Sequence, residues 1–280
     1  MYLFTKAEVR NSSGGLLTLQ LGDTSSGILV QEFTGLDPVK ATLTSSTFAN
    51  RPGSIFQSSH RENRNITLTL GLQPDPAVST VRALRQTIYD YFMPESVVTM
   101  KFFVDDVDDA VEDGFQIVGT VETCETPMFA QDPSVHISII CFDPNFIDPV
   151  PVSITSMTTA DTANTYVPYD GSIKTGLEFT LNINRALTEF TIYYIDANNV
   201  TRSMDISATF QAGDVVTIST VEGNKFATLL RSGVTSSILY AVPPQAVWPQ
   251  LAPGSNWLKV SATGAAIPVS VSYTKRYGGL

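Results

Sequence analysis

Short stretches of alternating apolar and polar residues recur along the whole chain, and turn residues separate them. This pattern predicts β-strands. In the first half the predicted strands span residues 16–21, 28–33, 66–70, 97–104, 115–122 and 134–142. In the second half they span residues 177–183, 189–196, 203–210, 215–220, 225–231, 257–262 and 267–273. Such closely spaced strands favour a β-sandwich of the jelly-roll kind for the second half.

One segment has helical periodicity instead. Its apolar residues recur on a single helical stripe, namely Val78, Val81, Leu84, Ile88 and Phe92. Asp75 is the predicted N-cap and Pro76 the first helical residue. Pro94 cannot continue the helix. The residues therefore predict one amphipathic helix that packs on a sheet in the first half.

A proline-rich stretch at residues 143–151 predicts a domain boundary. We therefore expect two domains, residues 1–148 and residues 152–280. The predicted fold class is mainly β. The N-terminal domain is expected to be a β-barrel or β-sandwich that carries the single helix, and the C-terminal domain a β-sandwich. A chain of 280 residues buries enough surface to fold without disulfides.

The charge is unevenly distributed. The chain has 17 Lys and Arg against 27 Asp and Glu, a net charge of −10, and the whole imbalance lies in residues 1–150. A surface of this kind repels nucleic acid, because phosphate binding needs Lys and Arg. We therefore expect no specific binding of DNA.

The two cysteines, Cys124 and Cys141, lie in alternating apolar runs and are expected to be buried free thiols. The N-terminus has no signal-peptide pattern. No apolar run approaches the roughly 20 residues that span a bilayer. The sequence therefore predicts synthesis in a reducing cytoplasm and no membrane insertion.

Residues 44–65 are polar, lack periodicity and form a segment too long for an ordinary loop. Such a segment is either disordered or ordered by a partner. We expect it to be mobile in the monomer and ordered against a neighbouring subunit. Its candidate inter-subunit residues are Arg51, His60, Arg61 and Arg64.

No hydrolase motif or phosphate-binding loop is present. The chain has two histidines, His60 and His136, and two cysteines, and residues scattered in this way do not match the ligand spacing of a zinc site. The acidic run at residues 105–114 could bind calcium, but its spacing differs from that of an EF-hand loop and favours a solvated hairpin tip. Two carboxylates could also catalyse glycoside hydrolysis. Any two of the 27 acidic residues would fit that pattern, so it does not single out a pair. We expect no catalytic residue, metal or cofactor.

The two tryptophans of the second half leave two interpretations open. Trp248 and Trp257 could form a sugar-stacking platform, since jelly rolls often serve as lectins. Alternatively, Trp257 is a core residue of its strand and Trp248 packs beside it.

Several stretches together resemble one known family. In the second half these are YDGSIKTGLEF at residues 169–179, FQAGDVVTI at 210–218, EGNK at 222–225, and the ending from Trp248 to Leu280. In the first half they are FTGL at residues 33–36, RPG at 51–53 and RNITL at 64–68. In order and spacing these motifs resemble the distal tail proteins of long-tailed bacteriophages.

The resemblance implies a structural protein of the virion tail tip rather than an enzyme. Members of this family form a hexameric ring from N-terminal belt domains, with galectin-like C-terminal domains projecting outwards. The ring joins the tail tube protein to the tail-associated hub protein, lets DNA pass, and often anchors receptor-binding proteins or side fibres. Under this interpretation the acidic tip, Asp105, Asp106, Asp108 and Asp109, is a candidate for the channel surface. The rival hypotheses are a stand-alone carbohydrate-binding protein and a glycan depolymerase.

Overall fold

The computed structural model describes residues 3–23, 25–50, 52–105, 114–127, 132–195 and 199–280. The chain divides into two compact units. Unit 1 comprises Met1–Pro149 together with Gly278–Leu280, and unit 2 comprises Val150–Tyr277. The last three residues thus belong to the first unit, whereas the sequence assigned them to the second.

The described residues of unit 1 form ten strands and one helix. The strands are β1 (Leu3–Asn11), β2 (Leu16–Gln20), β3 (Ile28–Thr34), β4 (Ala41–Thr47), β5 (Ser54–Arg61), β6 (Arg64–Leu72), β7 (Val97–Asp105), β8 (Phe115–Glu125), β9 (Ser134–Cys141) and β10 (Phe146–Ile147). The helix is α1 (Val81–Phe92), between β6 and β7.

Outside residues 196–198, unit 2 forms thirteen strands and one short 3-10 helix, at Leu239–Ala241. The strands are β11 (Val152–Thr158), β12 (Thr165–Tyr169), β13 (Thr175–Gly176), β14 (Glu178–Asn182), β15 (Leu187–Ile195), β16 (Thr201–Phe210), β17 (Val215–Val221), β18 (Asn224–Arg231), β19 (Val234–Ser237), β20 (Gln250–Leu251), β21 (Gly254–Ser261), β22 (Pro268–Tyr273) and β23 (Arg276–Tyr277).

The main sheet of unit 1 is antiparallel, with strand order β2-β1-β7-β8-β9-β6-β3. Its outer strands, β2 and β3, are not paired with each other in the described part of the chain. The sheet is therefore open. The barrel alternative for this domain is wrong, while the mainly β fold with a single helix is confirmed.

The core of unit 1 follows from the strand periodicity. In β6, Ile66, Leu68 and Leu70 are buried, whereas Thr67 and Thr69 point to the other face. Phe102 of β7 lies at the centre of an aromatic group, with ring centroids 6.2 Å from Phe4, 5.6 Å from Phe33 and 6.0 Å from Phe146. These edge-on contacts tie three strands and the segment at Phe146 together.

The helix begins later than the sequence predicted. Its N-cap is Thr80, whose hydroxyl accepts a hydrogen bond from the Ala83 amide. Asp75 instead accepts one from the Ala77 amide and starts a separate turn, because a short polar side chain bonds its own nearby backbone equally well. Val78 is consequently 83% exposed. The rest of the predicted stripe is confirmed: Leu84, Ile88 and Phe92 are buried, and the helix contacts β1, β6 and β8.

Unit 2 is a β-sandwich, as predicted. One sheet has the strand order β11-β22-β14-β17-β18-β19 and the other β12-β21-β15-β16, with β13 and β20 paired separately. Buried apolar residues of the two sheets form one core, among them Phe179 and Ile218 of the first sheet and Phe190 and Val260 of the second. The alternation that buries these side chains places their neighbours on the outer faces.

Candidate assembly surface

Strands β4 and β5 form a two-stranded antiparallel ribbon, here called the hairpin arm, and in the described part of the chain β4 pairs with no strand other than β5. The expectation that residues 44–65 form a single non-regular segment is wrong. Ser and Thr fill positions where a half-buried strand would carry apolar residues, so the alternation that normally reveals a strand is missing.

The hairpin arm exposes large apolar side chains on both faces. Every residue of β5 is exposed. Leu43, Ile55 and Phe56 are 66%, 51% and 62% exposed, and Phe48 near the turn is 52% exposed. A register shift places Phe56 opposite Ser45, so Phe56 shares a face with Leu43, and Ile55, opposite Ser46, lies on the other face. An isolated two-stranded ribbon is only marginally stable, and clustered exposed apolar residues indicate an interaction surface.

The base of the hairpin arm is held to unit 1 by polar contacts. The Nη1 atom of Arg61 donates to the Oδ1 atom of Asn145, 2.7 Å away. The hydroxyl of Thr42 donates to Glu62, whose amide in turn donates to the carbonyl of Lys40 at 3.0 Å. His60 is exposed on β5, and Arg51 lies outside the described residues.

Arg64 is not part of the arm, which corrects its assignment as an inter-subunit residue. It is the first residue of β6 and only 1% exposed. Its guanidinium donates to the carbonyl oxygens of Pro144 at 2.8 Å, Asp37 and Gly278 at 2.7 Å each, and also Gly35. The Phe146 ring centroid lies 4.4 Å from its Cζ atom. Burial lowers the pKa of Arg64 below its usual value, and the carbonyl dipoles satisfy the charge.

A cavity of about 390 Å³ opens in unit 1 between β1 and β3. Its apolar lining includes Phe4, Val30, Phe33, Leu36, Phe102 and Leu280. The Leu280 amide donates to the Leu36 carbonyl at 3.0 Å. The cavity thus lies where the outer strands of the open sheet leave a gap.

Of the acidic tip, Asp106, Asp108 and Asp109 lie outside the described residues, and Asp105 is the last residue of β7. Within the described ranges, no group of three or more His, Cys, Asp or Glu side chains could hold a metal ion. His136 is exposed on β9 beside Thr69 and Ser134.

Both cysteines are free thiols. Cys141 is buried in the core of unit 1, and Cys124 is half-buried. Burial raises the pKa of Cys124 to about 11 and that of Cys141 to about 12. Neither is therefore a nucleophile at neutral pH.

Trp257 lies on the outer face of the four-stranded sheet and not in the core. Its strand neighbours Leu258 and Val260 are the buried residues. Trp248 packs against the core of unit 2 from the side, and the Lys225 ammonium lies 5.9 Å from its ring centroid. The two tryptophans therefore occupy separate places and do not form a joint platform.

The two mainly β units, the first of which carries an exposed apolar arm, define a β-rich protein with a candidate assembly surface. Residues 170–277, which lie in unit 2, match the family described as "Siphovirus-type tail component, C-terminal domain". This match supports the resemblance to the distal tail proteins that the sequence motifs indicated.

Solved structures show the same fold over the whole length. The crystal structure of the Dit (gp 19.1) protein of phage SPP1 is 18% identical, with a TM-score of 0.67 over 96% of this chain and 98% of that one. That protein is described as a paradigm of the hub adsorption apparatus in phages that infect Gram-positive bacteria. A chain of the phage P2 baseplate in its activated conformation with Ca is 6% identical, with a TM-score of 0.50 over 98% and 99% of the two chains.

A search of curated protein sequences found no match. No helix within the described ranges is long and apolar enough to span a membrane.

Proposed function

We propose that this protein forms a closed hexameric ring at the distal end of the phage tail, in which unit 1 makes the subunit contacts. The ring would join the tail tube protein above to a tail-associated hub protein below, and unit 2 would offer an attachment point for receptor-binding proteins or side fibres. The role is structural and not enzymatic. The family match and the fold shared with a phage hub protein support this proposal.

The hairpin arm is the single observation that carries the proposal. It exposes apolar residues on both faces, and among the described residues it pairs with no further strand. In a cyclic ring each subunit uses two different surfaces, one for each neighbour. The arm supplies one of them. The cavity between β1 and β3 is our candidate for the other, because it is open and apolar and lies in the same unit.

Light scattering on the full chain tests the arm directly. The double variant Ile55→Ser/Phe56→Ser should remain folded but fail to form rings, both alone and with the tail tube protein. Val78→Ser is the matched control, since Val78 is an exposed apolar residue of unit 1 outside the arm. It should assemble like the wild type. Rings formed equally well by the double variant would overturn the role of the arm.

Cysteine cross-linking tests the acceptor surface. A chain carrying Phe56→Cys and Leu21→Cys should form disulfide-linked ladders on mild oxidation, because Leu21 lines the cavity and is 43% exposed. Each single variant should give no ladder beyond the background of the native thiols. If rings form without cross-links, the arm binds elsewhere.

Passage of DNA through the ring is a further part of the proposal. The acidic balance of residues 1–150 suits a channel wall that does not hold phosphates. Replacement of Asp105, Asp106, Asp108 and Asp109 by Lys should slow DNA ejection from assembled particles at low salt, where screening is weak. Unchanged ejection kinetics from such particles would exclude the channel role for these four residues.

A further inference from the structure

A shallow cup of about 190 Å³ lies on the outer face of the four-stranded sheet of unit 2. We call it the aromatic cup and define it by its lining residues Asn164, Tyr193, Ile195, Thr201, Trp257 and Lys259. The strand register produces it. Trp257 of β21 lies directly opposite Ile195 of β15, and Lys259 lies opposite Tyr193. All four side chains therefore point to the same, outer face.

Two aromatic rings form the walls of the cup. Tyr193 is 38% exposed, and Trp257 is half-buried. Trp257 is also braced from the far side, because the Tyr166 ring lies 5.8 Å away, centroid to centroid, at an interplanar angle of 53°. A braced indole loses little conformational entropy when a ligand covers it, which favours binding.

The polar groups of the cup are free to bind a ligand. No hydrogen bond occupies the side-chain amide of Asn164, the hydroxyls of Tyr193 and Thr201 or the indole N–H of Trp257 in the described part of the chain. The Lys259 ammonium makes one contact, to the Thr162 carbonyl at 3.3 Å, and keeps two N–H groups for others. The cup thus offers hydrogen-bond donors and acceptors around the two aromatic rings and the apolar side chain of Ile195.

This combination fits a saccharide better than other ligands. A pyranose ring has an apolar face of C–H groups that can cover an aromatic ring, and an equatorial rim of hydroxyls that both donate and accept hydrogen bonds. A purely apolar ligand would leave the free polar groups unsatisfied, at a cost in affinity. An inorganic anion would use Lys259 but gain nothing from the two aromatic walls.

We propose that the aromatic cup binds one pyranose unit of a saccharide, stacked on Trp257 beside Tyr193 and held by Asn164, Thr201 and Lys259. This activity belongs to unit 2 alone and does not depend on ring formation. A tail component with such a site could touch the surface glycan of a cell in addition to its structural role.

The chain has only two tryptophans, so fluorine NMR of the full chain labelled with 5-fluorotryptophan gives one signal for each. The signals are assigned with Trp248→Phe. The probes are glucose, galactose, N-acetylglucosamine and glucuronate, each titrated to about 50 mM, where even millimolar binding saturates. We expect the Trp257 signal to shift and saturate with at least one probe while the Trp248 signal stays in place.

Variants separate a built site from a chance contact. Tyr193→Ala and Asn164→Ala should each weaken the affinity about tenfold or more and leave the melting temperature nearly unchanged, since both side chains are exposed. Trp248→Phe should bind like the wild type. The proposal is overturned if no probe moves the Trp257 signal, if both tryptophan signals drift together without saturation, or if Asn164→Ala and Tyr193→Ala both bind normally.

Discussion

The Nη2 atom of Arg64 lies 2.7 Å from the carbonyl oxygen of Gly278, a residue 214 positions further along the sequence. The same guanidinium reaches Pro144 and the loop at Gly35 and Asp37. One buried side chain therefore ties three separate segments of unit 1 to the first residue of β6. A planar group with five donors suits this task, since each segment contributes only carbonyl oxygens.

Replacement of Arg64 by alanine should destabilise unit 1 by about 3 kcal/mol or more, because several buried carbonyls lose their donor. Arg64→Lys should recover only part of this loss, since an ammonium cannot reach all four oxygens at once. Urea unfolding measures the free energy of unfolding of both Arg64 variants. Arg82→Ala, an exposed arginine on α1, is the control and should change stability by less than about 0.5 kcal/mol.

Gly35 should tolerate no side chain. Its φ angle is 85°, and a Cβ atom would overlap the Asn65 carbonyl oxygen. Gly35→Ala should therefore cost the strain of a left-handed alanine, about 1–2 kcal/mol, plus a backbone clash. Gly22→Ala is the matched control, because Gly22 has a φ of 77° but open space around it. Equal melting temperatures for the two variants would contradict the prediction of a backbone clash at Gly35.

Asp214 should give unit 2 a pH-dependent stability. Hydrogen bonds from Arg231, at 2.8 and 2.6 Å, and then from the Gln211 amide lower the pKa of Asp214 below its ordinary 3.8. A carboxyl group whose pKa is lowered by folding stabilises the folded state at pH values above its unfolded-state pKa. This stabilisation is lost as the pH falls through the folded-state pKa. Below about pH 4, Asp214→Asn should thus lose stability less steeply than the wild type. Asp170→Asn, at an exposed ion pair, should follow the wild-type curve.

Trp257 and Leu258 are adjacent but should respond differently to truncation. Leu258 is 1% exposed in the core, so Leu258→Ala should cost about 2–5 kcal/mol. Trp257 is half-buried on the outer face, and Trp257→Ala should cost clearly less than Leu258→Ala. Thermal melting of the two variants decides the point. A larger loss for Trp257→Ala would mean that its ring supports the sandwich.

The hairpin arm should exchange its amide hydrogens faster than β6 in the monomer. In the part of the chain that the structure describes, its two strands pair only with each other, whereas β6 is paired on both sides with β3 and β9. When the ring forms, we expect the amide hydrogen exchange of the hairpin arm to slow strongly, while that of β6 changes little. Hydrogen exchange followed by mass spectrometry measures both segments in one experiment. An arm that exchanges equally fast in monomer and ring would contradict its role as a contact.

The sequence revealed the elements whose alternation is strong. β6, β9 and β21 bury every second residue, and a period of two is then easy to read. It missed β4 and β5 because neither face of the hairpin arm is buried in its own chain. The arm therefore has no apolar-polar alternation to detect.

The role of Arg64 could not be read from the sequence either. A positive charge in a polar stretch usually faces solvent, and nothing local shows that Gly278 lies beside it. Non-local contacts of this kind depend on where the chain returns after more than two hundred residues. The sequence likewise leaves open whether Trp257 and Trp248 form a platform or pack in the core, because nothing local shows that Tyr193, and not Trp248, lies on the same face as Trp257.

The return of Gly278–Leu280 to unit 1 gives unit 2 two covalent connections to it, one at each end. A mechanical force applied to unit 2 during attachment to a cell would be divided between two covalent connections instead of one. A single proteolytic cut near residue 150 would also leave unit 2 tethered. Conversely, a fragment that stops at residue 148 lacks the residues that Arg64 and Leu36 bind, so the isolated first unit should be studied with its last three residues restored.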